Sequence, residues 1–203
     1  REAAAALLPM QDLHAAYYRG DQERLRSLIR ARGAKIWGSV DAGFAFTHLA
    51  RLRDWPALVR LHEQRTLTFT EFCGERPNDA IPLVLGLKAA GKTNEAAQVL
   101  DCLRKRLSVE LRNKARLPQD FAGALEFRRA SYSALTGDRQ GILVWLERAV
   151  SRGWLGEPYS SRLADYPQFD LIRSDPRYLA LQRRIDRNVA AERAGLGSTS
   201  PSR

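Results

Sequence analysis

The residues Gly86, Gly91, Lys92 and Thr93 have the spacing G-x-x-x-x-G-K-[ST], which binds nucleotide phosphates in many proteins. In such a loop, glycine-rich backbone between a strand and a helix turns its N–H groups toward a phosphate. The lysine reaches the phosphates, and the hydroxyl binds a magnesium ion. If this loop forms, the chemistry that it supports is nucleotide binding and hydrolysis.

The four residues that follow Gly86, from Leu87 to Ala90, instead favour a helix. A helix would keep their N–H groups in its own hydrogen bonds and away from an anion. Further along the chain, no apolar run ends in an aspartate that could supply a second magnesium ligand. We therefore expect Gly91 to be a turn residue, Lys92 to be solvated and Thr93 to open a helix, with no cofactor bound.

Histidines and cysteines are the other residues that could carry chemistry. His48 and His62 fall on the two predicted helices of one hairpin and can approach each other, but a metal site needs further ligands. Cys73 and Cys102 are too few for a disulfide framework or a metal cluster, and the sequence leaves open whether they pair. No serine lies in a G-x-S-x-G elbow. The sequence therefore predicts a protein that is not an enzyme and has no catalytic or metal-binding residues.

The chain carries a net charge of +10, which would attract an anionic partner such as nucleic acid. The densest basic stretch is RKRLSVELRNKAR, over residues 104–116, where Glu110 is the only acid. This stretch lacks the interleaved aromatic residues of proteins that bind single-stranded nucleic acid. A solvated helix face is the simpler interpretation. A basic helical scaffold that binds nucleic acid or another polyanion is the alternative function.

Composition bounds the class of protein and its location. Of the 203 residues, 44% are hydrophobic and 28% are charged, which is typical of a soluble, folded protein. No apolar run approaches the roughly 20 residues that a membrane-spanning helix needs. The sequence begins without a methionine and shows no signal peptide, so we expect a fragment of a longer, cytoplasmic protein. A periplasmic location is the alternative if the parent carries an upstream membrane segment.

Four segments share a helical pattern in which the same kinds of residue lie at the same distances from a central break. Each reaches a break, continues with a polar residue, and has apolar residues four and seven positions after that residue, on one helix face. The breaks are 33, 38 and 46 residues apart, at Gly20, Arg53, Gly91 and Gly137. A glycine can end a helix in the left-handed conformation. An aspartate can cap the helix that follows, as we expect for Asp21, Asp54 and Asp138.

The four segments resemble the tetratricopeptide repeat (TPR) family, in which two antiparallel helices carry small residues at fixed positions. The fourth segment is the best match, because Ala130, the TGD turn and Ala149 fall where the family has small residues. The resemblance implies an all-α fold: a right-handed superhelix of stacked antiparallel helical hairpins, a TPR-like α-solenoid with a C-terminal capping helix. The predicted hairpins span about 8–32, 40–67, 78–108 and 118–153. Larger residues replace the usual small ones at several positions and imply an irregular superhelix, among them Leu25, Leu58 and Ile142.

The segment from Val144 to Ile185 resembles the closing segment of bacterial TPR regions. Such regions end multidomain regulators, including winged-helix regulators and class III adenylate cyclases. The residues that carry this resemblance are Trp154, Phe169, Asp170, Ile172, Arg173, Asp175, Pro176, Arg177 and Tyr178. In physical terms the segment is a cap, in which Asp175 begins a final helix. Three side chains are expected to cover the last repeat: Tyr178, Leu179 and Leu181.

We therefore expect one TPR-like domain over 1–195, with the cap over 160–195 and a disordered tail over 196–203. The resemblance implies a non-catalytic protein–protein interaction or sensory module of a larger bacterial regulatory protein. A concave groove lined by the first helix of each hairpin would bind a peptide or a partner domain. The family's groove positions correspond here to His14, Tyr17, Tyr18, Thr47, Arg51, Asn78, Leu85, Lys88, Phe127 and Ser131. The asparagine-and-lysine clamp of members that bind chaperone tails is not reproduced.

Overall fold

The computed structural model describes residues 12–32, 41–64, 77–113, 123–156 and 162–197. Of these residues, 84% are helical and none lies in a strand. The predicted all-α class is therefore confirmed. None of the helices in these ranges is long and apolar enough to cross a lipid bilayer.

The described ranges contain nine α-helices and two short 3₁₀ helices. The first five are α1 (12–18), α2 (Gln22–Arg32), α3 (Asp41–Arg51), α4 (Trp55–Glu63) and α5 (Pro77–Ala89). They are followed by α6 (Thr93–Arg112), α7 (Ala124–Thr136) and α8 (Arg139–Ser151). The last elements are the 3₁₀ helices Leu163–Asp165 and Pro167–Ile172 and the helix α9 (Pro176–Gly197).

The chain divides into two compact units, Arg1–Val99 and Leu100–Arg203, with the division inside α6. The single repeat domain over 1–195 stays a prediction. At the C-terminus, α9 continues to Gly197, and residues 198–203 of the predicted tail lie outside the described residues. A right-handed superhelix stays a prediction.

All four predicted breaks are turns between consecutive helices. Their backbone is left-handed, with φ of 71° at Gly20, 52° at Arg53, 72° at Gly91 and 81° at Gly137. Glycine adopts this conformation at little cost because it has no Cβ. Arg53 is the only non-glycine with positive φ among the described residues, and its Cβ makes this turn more strained than the other three.

Aspartates cap the helices that follow three of these turns, as the sequence predicts. In each case one carboxylate oxygen accepts a hydrogen bond from the backbone N–H three residues later. The distances are 2.9 Å for Asp21, 3.2 Å for Asp54 and 2.8 Å for Asp138. These bonds satisfy N–H groups that a helix leaves without an internal partner at its start.

In the N-terminal unit, the α3–α4 hairpin packs against α5, which contacts both of its helices. The buried side chains of these helices recur at helical spacing, as with Leu58 and Leu61 on α4 and Leu83 and Leu87 on α5. The first hairpin is joined to the second by an ion pair of 3.3 Å between the Arg26 Nε and Asp54 Oδ2 atoms. Packing of apolar helix faces is thus the main source of stability here.

In the C-terminal unit, α7 and α8 form a hairpin that the segment after residue 162 covers. The Trp154 ring stacks on the Phe127 ring, with centroids 4.2 Å apart and planes 13° apart. Tyr166 and Phe169 also meet Phe127 edge-on, at 5.0 Å and 5.6 Å. These aromatic rings belong to one buried cluster with the apolar faces of α7, α8 and α9. The segment over 162–185 therefore shields the hairpin from water.

The helix α9 begins as the sequence predicts, although one of its expected core residues is exposed. Asp175 accepts a hydrogen bond of 2.9 Å from the backbone N–H of Arg177, and hydrogen bonds from Arg177 hold the pKa of Asp175 below its usual value. Tyr178 and Leu181 are buried, whereas Leu179 is 45% exposed. The prediction for Leu179 is wrong because it is one position after Tyr178, about 100° around the helix from the buried stripe.

A chain that ends at Gly156 should aggregate or lose cooperative unfolding. Its α7–α8 hairpin would expose the aromatic and aliphatic faces that the cap covers. Urea unfolding followed by far-UV circular dichroism, together with size-exclusion chromatography, measures both outcomes. A chain that ends at Gly197 is the control and should unfold like the full chain. If the shorter chain stays monomeric and unfolds as sharply as the control, the segment over 162–197 is not a cap.

Candidate functional site

The phosphate-loop pattern lies across the turn between α5 and α6, not between a strand and a helix. The backbone N–H groups of residues 90–92 donate hydrogen bonds to carbonyl oxygens of α5, at 2.9 to 3.1 Å. The N–H group of Thr93 donates to the carbonyl oxygen of Gly91 at 3.0 Å. These groups are therefore used within the turn and do not form an anion-binding loop.

Gly86 and Lys92 have structural roles at this turn. A Cβ added at Gly86 would lie 3.0 Å from Leu58 Cδ2 and 3.3 Å from Val59 Cγ2, so glycine allows α5 to approach α4 closely. Lys92 Nζ lies 2.6 Å from a carboxylate oxygen of Glu63, and this hydrogen bond raises the pKa of Lys92. Helix packing thus accounts for Gly86, and a surface ion pair accounts for Lys92.

The predicted groove residues of α1 lie beside those of α3. Arg51 donates a hydrogen bond of 3.1 Å to the hydroxyl oxygen of Tyr17, and its guanidinium carbon lies 5.8 Å from the centre of the Tyr17 ring. Tyr18 is 73% exposed, and its ring meets that of Tyr17 at a centroid distance of 5.2 Å. The half-buried His14 ring lies 6.4 Å from the Tyr18 ring. The two helices thus bring aromatic, imidazole and guanidinium groups together.

The remaining predicted residues of the N-terminal unit lie on α3 and α5, which contact each other. Thr47 and Leu85 are half-buried, whereas Asn78 and Lys88 are exposed. The spacing of seven and then three residues places the three α5 residues on one helix face. Together with the α1 and α3 residues they define the first-helix surface: His14, Tyr17, Tyr18, Thr47, Arg51, Asn78, Leu85 and Lys88.

The two predicted groove residues of the C-terminal unit are buried. Phe127 is 3% exposed beneath Trp154, and Ser131 is fully buried, where its hydroxyl accepts a hydrogen bond of 3.1 Å from Gln168 Nε2. The cap thus covers the face of α7 that the repeat pattern assigns to the groove. Because a partner cannot reach either side chain, both support the packing of this unit, and the first-helix surface does not include them.

Beneath the first-helix surface, His48 is 1% exposed among aromatic rings. The centre of its ring lies 4.0 Å from those of Tyr17 and Phe44. Burial lowers the pKa of His48 to about 3, and the charges of Arg51 and His14 act in the same direction. His48 is therefore neutral at physiological pH and packs as another ring. Its position four residues after Phe44 is the sequence signal for this core role.

The two histidines that the sequence places in one hairpin lie on consecutive helices. His48 and His62 are both buried, on α3 and α4. No group of three or more histidine, cysteine, aspartate or glutamate side chains is placed to hold a metal ion there. Cys102, on α6, is half-buried and disulfide-bonded, and Cys73 lies outside the described residues.

Acidic side chains pair with much of the basic stretch over 104–116, which the structure describes as far as residue 113. Asp101 lies 2.7 Å from the cationic groups of both Arg104 and Lys105, and hydrogen bonds from these two residues lower the pKa of Asp101. The buried Glu110 lies 3.1 Å from one guanidinium group on α6 and another on α7. The ion pairs favour a solvated helix face that also holds α6 to α7.

Comparisons with protein-family models, with curated proteins and with solved structures find nothing that matches this chain.

The first-helix surface contains Tyr18, the most exposed large hydrophobic side chain in the described ranges. An arginine and a histidine lie within the same group of rings. The exposed Tyr18 ring is a surface on which an apolar group can stack.

Replacing Gly86 with valine should lower the free energy of unfolding by about 1–3 kcal/mol, because the new side chain must displace Leu58 and Val59. Urea unfolding followed by circular dichroism measures this loss. Gly195→Val is the matched control, since no atom lies within 4 Å of a Cβ added at that position of α9. We expect the control to change stability by less than about 0.5 kcal/mol. Equal losses in the two variants would contradict a packing role for Gly86.

Acid should weaken the fold through His48 before most carboxylates titrate. The pKa of His48 is lowered from 6.5 to about 3 on folding, so between these values only the unfolded chain binds the proton. The contribution of His48 to stability is complete above pH 6.5 and falls as the pH decreases, by about 1.4 kcal/mol per unit. Urea unfolding at several pH values between these limits measures how the free energy of unfolding changes with pH, for the natural chain and for His48→Gln. Identical slopes for the two proteins would refute the assignment.

Proposed function

We propose that this chain is a non-catalytic protein-interaction module of a larger regulatory protein and binds an extended peptide on the first-helix surface. The observation that supports this most directly is the exposure of Tyr18 beside the Arg51–Tyr17 hydrogen bond. Tyrosine is among the residue types that most often dominate the energy of protein interfaces, together with tryptophan and arginine. In this surface Arg51 supports Tyr17, since its guanidinium group is itself buried. The exposed ring offers a large contact area at a low cost in side-chain entropy.

The chemistry of the surface indicates the kind of peptide that it would bind. The ring of Tyr18 can stack on an aromatic side chain or pack against an aliphatic one. Lys88 is exposed and positively charged, and the exposed amide of Asn78 can donate to and accept from a peptide backbone. We therefore expect a peptide with one apolar anchor and neighbouring acidic residues.

The packing beneath the surface supports binding without a large rearrangement. Phe44 and His48 are buried directly under Tyr17, with ring centres 6.1 Å and 4.0 Å from the centre of its ring. A side chain that is held in this way loses little conformational freedom when a partner binds. The cost of ordering would then fall mainly on the peptide.

Binding of nucleic acid or another polyanion is the alternative function, and the net charge of +10 favours it. The ion pairs of Asp101 and Glu110 reduce the charge that α6 presents to such a partner. The two functions differ in their dependence on salt, because each phosphate contact releases counterions and makes binding weaker as salt increases. A titration with random DNA and RNA at several salt concentrations distinguishes them.

Selection of peptides from a phage-displayed random library on the full chain, followed by fluorescence polarisation, tests the proposal. The dissociation constant of an enriched peptide should rise about tenfold or more in Tyr18→Ala, because the anchor loses its aromatic contact. Leu179→Ala is the control, since Leu179 is also exposed but lies on α9. Lys88→Gln should weaken binding of acidic peptides less strongly and reduce the salt dependence.

Two results would contradict the proposal. One is an enriched peptide that binds Tyr18→Ala and the natural chain equally well, which would place its site elsewhere. The other is a library that yields no peptide while random DNA binds tightly and is released steeply by salt, which would favour the polyanion function.

A further inference from the structure

The C-terminal unit contains a cleft of about 250 Å³ whose walls come from α6, α7 and α8. Arg104 and Leu107 of α6, Arg129 and Tyr132 of α7, and Trp145 of α8 line it. Its volume is slightly below the range of about 300–1,000 Å³ that is typical of small-molecule sites. None of its lining residues belongs to the first-helix surface.

Two arginines lie against the same tryptophan ring at this cleft. The guanidinium carbon of Arg129 is 3.8 Å from the centre of the Trp145 ring, and that of Arg148 is 4.6 Å from it. Each contact is a cation–π interaction, which holds the side chain in place. The shared ring also brings two positive charges close together, and this repulsion is relieved when an anion binds.

No carboxylate among the described residues forms an ion pair with either guanidinium group. Glu126 attracts Arg129 only weakly and instead lies 3.2 Å from the Arg152 Nε atom. Burial lowers the pKa of Arg129, and the charge of Arg148 acts in the same direction. Arg104, an exposed cation that also lines the cleft, differs from these two arginines because it is paired with Asp101 at 2.7 Å.

The remaining walls of the cleft are partly apolar. Leu107 is a buried aliphatic side chain, and the half-buried Tyr132 adds an aromatic ring to the lining. The hydroxyl group of Thr136 donates to carbonyl oxygens of its own helix at 3.1 and 3.2 Å. Its hydrogen is therefore not available to a ligand. Asp138 also lines the cleft, and its carboxylate oxygens accept hydrogen bonds from the Gly141 N–H group at 2.8 Å and from the Ser133 hydroxyl at 3.4 Å. The cleft therefore combines an aromatic wall with a cationic edge and one carboxylate that is already hydrogen-bonded.

We propose that this cleft binds a small organic anion with a flat apolar body, of the aryl carboxylate class. The carboxylate accepts hydrogen bonds from Arg129, whose planar guanidinium matches the geometry of its two oxygens. The flat body lies against the apolar walls that Leu107 and Tyr132 provide. Binding neutralises the repulsion between Arg129 and Arg148, so affinity depends on the charge of the ligand as well as its shape.

Titration of the full chain with benzoate, followed by the NMR resonance of the Trp145 indole N–H, tests this proposal. The resonance is assigned with Trp145→Phe. We expect benzoate to shift it saturably, and benzyl alcohol, which has a similar shape and no charge, to bind at least about tenfold more weakly. Arg129→Gln should weaken benzoate binding by about tenfold or more. Arg183→Gln, which changes an exposed arginine of α9, should leave the affinity unchanged.

Arg148→Gln provides a second test that leaves every lining side chain in place. We expect benzoate to bind this variant several-fold more weakly, because one of the two guanidinium charges beside Trp145 is removed. Circular dichroism checks the fold of each variant, and if Arg129→Gln does not fold, the result for Arg148→Gln decides. The proposal is overturned if benzyl alcohol binds as tightly as benzoate, or if the folded arginine variants bind benzoate like the natural chain.

Discussion

The left-handed residue between consecutive helices is the constraint on which the rest of this structure depends. With φ of 71° to 81°, Gly20, Gly91 and Gly137 end one helix and reverse the chain, and the next helix then begins within three residues. Arg53 performs the same reversal at φ of 52° with a Cβ present. The hairpins at Arg53 and Gly137 pack their two helices against each other, and burial of apolar residues in these and neighbouring helices provides most of the stability.

What packs on a hairpin decides whether its first helix presents a surface or a core. In the C-terminal unit the cap lies on α7, so Phe127 and Ser131 are buried. In the N-terminal unit, Tyr18 on α1 is largely exposed, and Arg51 on α3 is half-buried with its guanidinium bonded to Tyr17. The groove residues predicted from one repeat pattern thus differ in exposure between the two units. The proposed peptide-binding surface consists of predicted groove residues over which no described segment of this unit packs as the cap packs on α7.

Several cationic side chains of this chain form ion pairs with nearby carboxylates. Lys92 is held by Glu63, and Asp101 binds two neighbouring cations of α6. These exposed pairs contribute little stability, but they reduce the field that a polyanion would encounter. The arginines beside Trp145 differ, because an aromatic ring holds them and no carboxylate among the described residues forms an ion pair with either. A site for a small anion follows from this difference more readily than from the net charge.

The sequence by itself determined the all-α class, the four turns, the aspartate caps and most of the buried stripe of α9. All of these depend on interactions within a few residues, such as a glycine that tolerates positive φ. It also indicated that the residues between Gly86 and Gly91 are helical. Only the tertiary structure decided that Gly86 lies against Leu58, that Phe127 lies beneath a cap and that burial keeps His48 neutral. The physical reason is that exposure, close approach and pKa depend on neighbours that are distant in the chain, and a local pattern does not specify which element will cover a given face.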